Sequence, residues 1–213
     1  METDQLIHLL AADIDESLPV SFYRRMTIGL AFAGTLSFVL MAWQMEIRPD
    51  LLQALLMPLF WLKFGFAAAL ALAGFYAIRW AARPGARAGG VVLGFVAPVI
   101  VIWICSAWTL ERHGAQPVSE LIYGDSWEVC PILITVLAAP IFFAVMRVMK
   151  EMAPTQLPLA GFVAGLFSGA AGACIYCLHC PELSPVFVGI WYLLGILIPG
   201  AIGALVGKRV LAW

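Results

Sequence analysis

Apolar residues in this chain come in long unbroken runs, not in the alternation of a half-buried strand or the one-sided stripe of a surface helix. Six runs stand out, at 26–43, 57–78, 89–110, 130–146, 157–177 and 185–206, separated by short hydrophilic pieces. A helix needs about 20 apolar residues to cross a hydrocarbon core, with roughly 17–25 tolerated, and every run qualifies. The 130–146 run is the shortest. Outer-membrane strands are shorter and alternate in polarity, which excludes them here. The pattern therefore predicts an all-α, polytopic integral membrane protein of six transmembrane helices. Short connections predict antiparallel neighbours.

Composition agrees. The 213 residues are 63% hydrophobic and only 12% charged, where soluble domains are roughly a quarter charged. Charge placement then sets the orientation. Arg24, Arg25, Arg79, Arg83, Arg87, Arg147, Lys150, Lys208 and Arg209 fall in alternate hydrophilic pieces, whereas the other pieces hold only Arg48 and Arg112. Lys and Arg mark the cytoplasmic side, so both termini are expected in the cytoplasm and segments 44–56, 111–129 and 178–184 outside. The first residues are acidic and amphipathic, with no small-residue cleavage site after a short apolar core, so no cleavable signal peptide is expected. A net charge of −1 gives no nucleic-acid-binding surface.

Two regions follow: a cytoplasmic segment at 1–24 and the six-helix domain at 25–213. The segment has its own pattern, with Thr3 or Asp4 as a helix cap and Leu6, Ile7, Leu9, Leu10 and Ile14 forming an apolar face. A short isolated helix is not stable alone and needs a surface to cover it. Lipid is disfavoured, because the segment has no Lys or Arg before Arg24 and carries Glu2, Asp4, Asp13, Asp15 and Glu16. A protein groove, basic and hydrophobic, is the favoured partner. In the spans, Gly161, Gly165 and Gly169 recur every fourth residue, a spacing that lets helix backbones approach. Packing inside the bundle is preferred over homodimerisation. Pro98, Pro140 and Pro199 lie at kink positions, and Pro158 and Pro185 near helix starts, where proline is tolerated. Lys63 stands alone inside the second span. A charge there is costly and marks a pair or a functional site, with snorkelling to the outer interface beside Trp61 the simpler account.

The candidate chemistry is thiol chemistry. All five cysteines, Cys105, Cys130, Cys174, Cys177 and Cys180, fall in the outer half of the bundle. Cys105 reads as a small packed apolar residue. Cys174 and Cys177 form a C-x-x-C in an apolar turn, where thiols are protonated and structural. Cys130 and Cys180 are expected at the water boundary, near His113, Asp125, Glu128, His179 and Glu182. That set offers ligands for zinc, cadmium or copper, with His179 the neighbour of Cys180. A structural disulfide and a reversible sensor pair are both compatible with this placement. No acidic residue lies within a span, which argues against a coupled transporter.

Several pieces in order carry a resemblance: Asp4-Gln5-Leu6-Ile7 with Leu9 to Ala11, Arg83-Pro84-Gly85, Trp127 with Cys130-Pro131, and Ala153-Pro154. Tyr176 to Glu182, Trp191-Tyr192 and Arg209 to Trp213 complete it. Over essentially its whole length the chain resembles the NrsF family, negative regulators of sigma F, which are six-span inner-membrane anti-sigma factors of bacteria. The resemblance implies that the amino-terminal segment, near Leu6, Ile7, Leu9 and Leu10, sequesters an extracytoplasmic-function sigma factor. It also implies that Cys130 and Cys180 respond to heavy-metal or oxidative stress and release it. Cys105, Cys174 and Cys177 take no role from it. The expected protein is a regulator in the bilayer and not an enzyme, with no constitutive cofactor and a transient heavy-metal ion as its signal. Cys130, Cys180 and His179 are the candidate ligands. The segment lacks the H-x-x-x-C-x-x-C zinc pattern of another anti-sigma class, so binding would rest on its apolar helix. The rival is a membrane thiol–disulfide oxidoreductase coupled to quinone, with Cys174 and Cys177 as its reactive pair. A small permease is the weakest reading, since no inverted repeat is visible.

Overall fold

The computed structural model describes residues 20–81, 89–112 and 117–212. In these the chain forms helices α1 (Val20–Gln44), α2 (Leu51–Ala54), α3 (Pro58–Ala81), α4 (Gly89–Glu111), α5 (Val118–Tyr123), α6 (Cys130–Glu151), α7 (Leu157–Tyr176) and α8 (Pro185–Val210). No strand occurs among the described residues. Six helices, α1, α3, α4, α6, α7 and α8, are long and apolar enough to cross a membrane, at 20 to 26 residues. The predicted all-α, six-span architecture is therefore the observed one.

All the spanning helices but α7 overrun the apolar runs that predicted them. Helix α6 continues past Met146 to Glu151, and α1 already includes Val20 to Arg24, which the sequence reading placed at the end of the head. Charged residues are tolerated at such ends because their long side chains reach the polar interface. Here Arg25 pairs with Glu151, and the Arg79 guanidinium lies over the rings of Tyr23 (5.4 Å) and Tyr76 (5.8 Å). These contacts gather the termini of α1, α3 and α6 at one end of the bundle.

Helix α7 is the axis of the bundle. Nearly three quarters of its span is buried, against about a tenth for α4 at the periphery. Its glycines explain the position. A Cβ on Gly161 would sit 2.0 Å from the Gly203 carbonyl oxygen of α8, and one on Gly165 would sit 2.0 Å from the Pro199 carbonyl oxygen. Only hydrogen fits there, so the stripe is spent on packing within the bundle, as expected. Helices α6 and α3 close on other faces of α7. The antiparallel-neighbour expectation holds for α3/α4, α6/α7 and α7/α8, but α1 lies chiefly along α6 and not α3. A buried Ser37 donates its hydroxyl to the Leu137 carbonyl of α6 (2.8 Å), fixing that pairing.

Candidate functional site: a buried thiol cluster

Three connecting segments meet at the end of the bundle opposite the Arg25–Glu151 pair. The chain leaves α7 at Cys177 in a tight turn, with the Cys180 N–H donating to the Tyr176 carbonyl (3.0 Å). That turn drops Cys180 into the bundle mouth beside Cys130, the first residue of α6. Cys130, Cys177 and Cys180 are all fully buried in one apolar core with Met41, Phe66 and Ile102. The Tyr176 hydroxyl faces Cys130 and Cys180, and the Tyr192 hydroxyl faces Cys177 and Cys180. Tyr192 belongs to the π-helical turn of α8, a local distortion often found at functional positions. Its hydroxyl is buried without a hydrogen-bond partner.

Burial corrects the expected setting. Cys130 and Cys180 were placed at the water boundary, and the structure instead covers both completely with protein. The cover is the segment before α6. Gly124, at φ +51°, turns the chain so that the Asp125 N–H donates to Glu182 Oε1 (2.9 Å), and Ser126 Oγ lies 4.0 Å from Cys180 Sγ. Trp191 Nε1 donates to the Ile122 carbonyl (2.7 Å) and Ser184 Oγ to the Leu121 carbonyl (3.1 Å), holding α5 over α8. Tyr123, Trp127 and Trp191 form an aromatic cluster of edge-on and tilted rings, with Trp127 and Trp191 centroids 5.1 Å apart, and both tryptophans pack against the thiol core.

The second correction is Lys63. It does not snorkel beside Trp61; it is 1% exposed and turns into the bundle. Its Nζ donates to the carbonyls of Cys180 (2.8 Å) and Glu182 (2.9 Å) and lies 5.4 Å from the Tyr192 ring centroid. A buried ammonium costs several kcal/mol of lost hydration. Two charge-assisted bonds of about 1.5–3 kcal/mol each, an aromatic face and the negative end of the α7 dipole offset that cost.

A second cation reaches the same carbonyl. Arg48 is 7% exposed, and its Nη1 donates to the Cys180 carbonyl at 3.3 Å. Its Nε and Nη2 grip both oxygens of Asp50, at 2.7 and 2.6 Å. That fork holds the Asp50 carboxyl below the ordinary aspartate value and the Arg48 guanidinium above its own. The Arg48 N–H donates to the Leu178 carbonyl (3.2 Å).

His179 Nδ1 lies 2.9 Å from the carbonyl of Glu46, a residue in the left-handed region at φ +59°. The imidazole is thus bound to the α1 end of the first connection. Among the described residues, no three His, Cys, Asp or Glu side chains come together as a metal-holding group, so His179 is not assembled with the two thiols. Cys174 is only partly buried, and Cys105 is partly exposed on α4 where close packing was expected. Leu6, Ile7, Leu9 and Leu10 lie outside the described residues, as does His113.

Sequence reasoning found Cys130 and Cys180, misread Lys63, and missed a role for Cys177, Tyr176, Tyr192 and Arg48. Two signals pointed to the cations: a lone lysine inside a span, and an arginine on the side nearly devoid of basic residues.

These features define a class: a six-helix membrane protein with three buried thiols, one of them in a loop pinned by two cations. The chain belongs to the NrsF family. The family described as "Negative regulator of sigma F" matches residues 10–213. The chain is 43% identical over 213 residues to a protein of Azospira oryzae named probable anti-sigma-F factor NrsF, with all of both chains covered. It is 36% identical over 217 residues to the anti-sigma-F factor NrsF of Caulobacter vibrioides, again over the full length of both. No solved structure matches the chain.

Proposed function

We propose that this protein is a bacterial inner-membrane anti-sigma factor with both termini in the cytoplasm. It sequesters an extracytoplasmic-function sigma factor through its amino-terminal segment near Leu6, Ile7, Leu9 and Leu10. It releases that factor when Cys130 and Cys180 change state under heavy-metal or oxidative stress. The reading is carried by one observation: proteins named anti-sigma-F factors align with this chain from end to end. The alternation of basic segments supports the orientation.

The thiol geometry supports a sensor role for Cys130 and Cys180. They are separated by the whole of α6 and α7, yet they enter one buried cluster. A soft divalent ion bound there would take the two sulfurs as thiolates, releasing a proton from each to water. His179 would join only by leaving the Glu46 carbonyl. A two-electron thiol oxidant would instead join the sulfurs as a disulfide, the oxidant being reduced and taking up both protons.

The test is capture of cytoplasmic protein by detergent-purified full-length chain and by a chain lacking residues 2–20. A sigma factor retained only by the full chain is expected. Capture of no sigma factor by the full chain, under reducing and oxidising conditions alike, overturns the reading.

A further inference from the structure

The loop of Cys180 is fastened to the connection that follows α1. Three contacts join residues 46–48 to residues 178–180: Arg48 N–H to the Leu178 carbonyl (3.2 Å), Arg48 Nη1 to the Cys180 carbonyl (3.3 Å), and His179 Nδ1 with the Glu46 carbonyl (2.9 Å). Lys63 ties the same Cys180 carbonyl to α3. Helix α1 then runs the length of the bundle along α6, the helix that opens with Cys130. Its other end, at Val20, leads directly into the amino-terminal segment.

We propose that Arg48 and Lys63 are positioning residues of the sensor, a pair of cations that convert a change at Cys180 into movement of α1 and hence of the segment that holds the sigma factor. The inference rests on the regulator reading above. The physical reason is that both cations hold the backbone of Cys180, not its sulfur. A new bond at Sγ, to a metal ion or to Cys130, forces the residue to shift. A shift of the residue carries its carbonyl, and the cations carry that displacement into α1 and α3. Arg48 suits the task because Asp50 grips the rest of its guanidinium, leaving Nη1 aimed at one acceptor. The element that carries the coupling is α1, which begins at the amino-terminal segment and ends at the connection bound to the Cys180 loop.

The test uses the full-length protein with its sigma factor in cells, a sigma-dependent reporter, and cadmium chloride or the thiol oxidant diamide as the probe. Arg48→Gln and Lys63→Gln should repress the reporter normally without stress. Their induction should fall about tenfold or more, inside the roughly 5–150-fold span of measured couplings. Arg48→Lys and Lys63→Arg should restore most of it. Purified Arg48→Gln should still bind cadmium through Cys130 and Cys180, seen as sulfur-to-cadmium charge-transfer absorbance, a readout that mere loss of fold would abolish. Normal induction in both Gln variants overturns the proposal. So does release without stress, or loss of cadmium binding, since either makes the cations structural supports or part of the ion site. Arg48 lies outside the spans, so its variants decide the matter if Lys63→Gln does not accumulate in the membrane. Cys130→Ser and Cys180→Ser run in parallel. If they too induce normally, the sensor reading fails; if they alone lose induction, only the transmission proposal fails.

Discussion

Gly161→Ala adds one methyl group at the closest approach of the two central helices. The new Cβ would lie 2.0 Å from the Gly203 carbonyl oxygen and 2.8 Å from its carbon, where real Cβ atoms essentially never come within 3.0 Å. Backbone atoms cannot rotate away as a side-chain tip can, so α7 and α8 must part by about 1 Å at this level. A radial gap of about 0.5–1 Å forfeits roughly a quarter to a half of each dispersion contact across it. Overpacking of this kind costs about 1–3 kcal/mol. Alanine's intrinsic helix advantage over glycine, about 1 kcal/mol, acts in the opposite direction. Gly65→Ala cancels it as a control, because nothing lies within 4 Å of a Cβ there. Unfolding of both variants in the same detergent, followed by ellipticity against added denaturing detergent, should place Gly161→Ala about 1–3 kcal/mol below Gly65→Ala. Equal stability of the two would refute the argument that α7 and α8 are in backbone contact.

The remaining predictions concern the cap over the thiols. Gly124→Ala must hold φ +51° with a Cβ 2.6 Å from the Glu182 carboxylate; a loss of about 1–3 kcal/mol in thermal or denaturant unfolding is expected. Tyr192→Phe removes a buried hydroxyl that has no partner but keeps the ring beneath Lys63. It should leave stability unchanged or raise it, and a clear fall in melting temperature would show that the hydroxyl is satisfied after all. Asp50→Asn tests the fork on Arg48 through pH. The Asp50 carboxyl is depressed, chiefly by its hydrogen bonds to Arg48, so its share of stability is present above the unfolded aspartate range and lost only as pH falls through the lower folded value. The melting-temperature gap between wild type and Asp50→Asn should therefore be constant from about pH 8 to pH 5 and close only below the ordinary aspartate range.

The fold was legible because a bilayer leaves little choice. Long uncharged runs must be helices, since unpaired backbone groups are not tolerated in hydrocarbon. The glycines at 161, 165 and 169 were also legible, because a four-residue spacing of small side chains has one geometric use. Helix pairing was less so. Short connections suggested that α1 packs on α3, but the Ser37 bond to Leu137 and the approach of Gly29 to Ala144 place it on α6. The site was legible only by residue type. Cys130 and Cys180 stand out as thiols near span ends, but nothing in a linear pattern tells that residues 124–129 fold over them. Lys63 was misread for a related reason. Snorkelling assumes that water is the best acceptor within reach, whereas here two loop carbonyls 117 and 119 residues away are closer.

The cations also answer an energetic question that the proposed switch raises. Moving a two-state protein from 1:99 to 99:1 takes about 5.5 kcal/mol of differential binding between the states. Thiolate–metal or disulfide bonds are strong enough to supply it, but only if the displacement of Cys180 is passed on and not absorbed locally. An apolar core passes little on, because repacking is gradual and each dispersion contact is small. Directional bonds from charged donors behave differently: each is worth about 1.5–3 kcal/mol and resists a short displacement. Lys63 makes two of them and Arg48 one to the backbone of the Cys180 loop. A displacement that leaves that set intact is passed through it to α1 and α3, since two of the three bonds meet at one carbonyl. The cations thus transmit a shift and do not hold the repressing state, so Arg48→Gln and Lys63→Gln keep repression and lose induction when chemistry at Cys180 moves that oxygen.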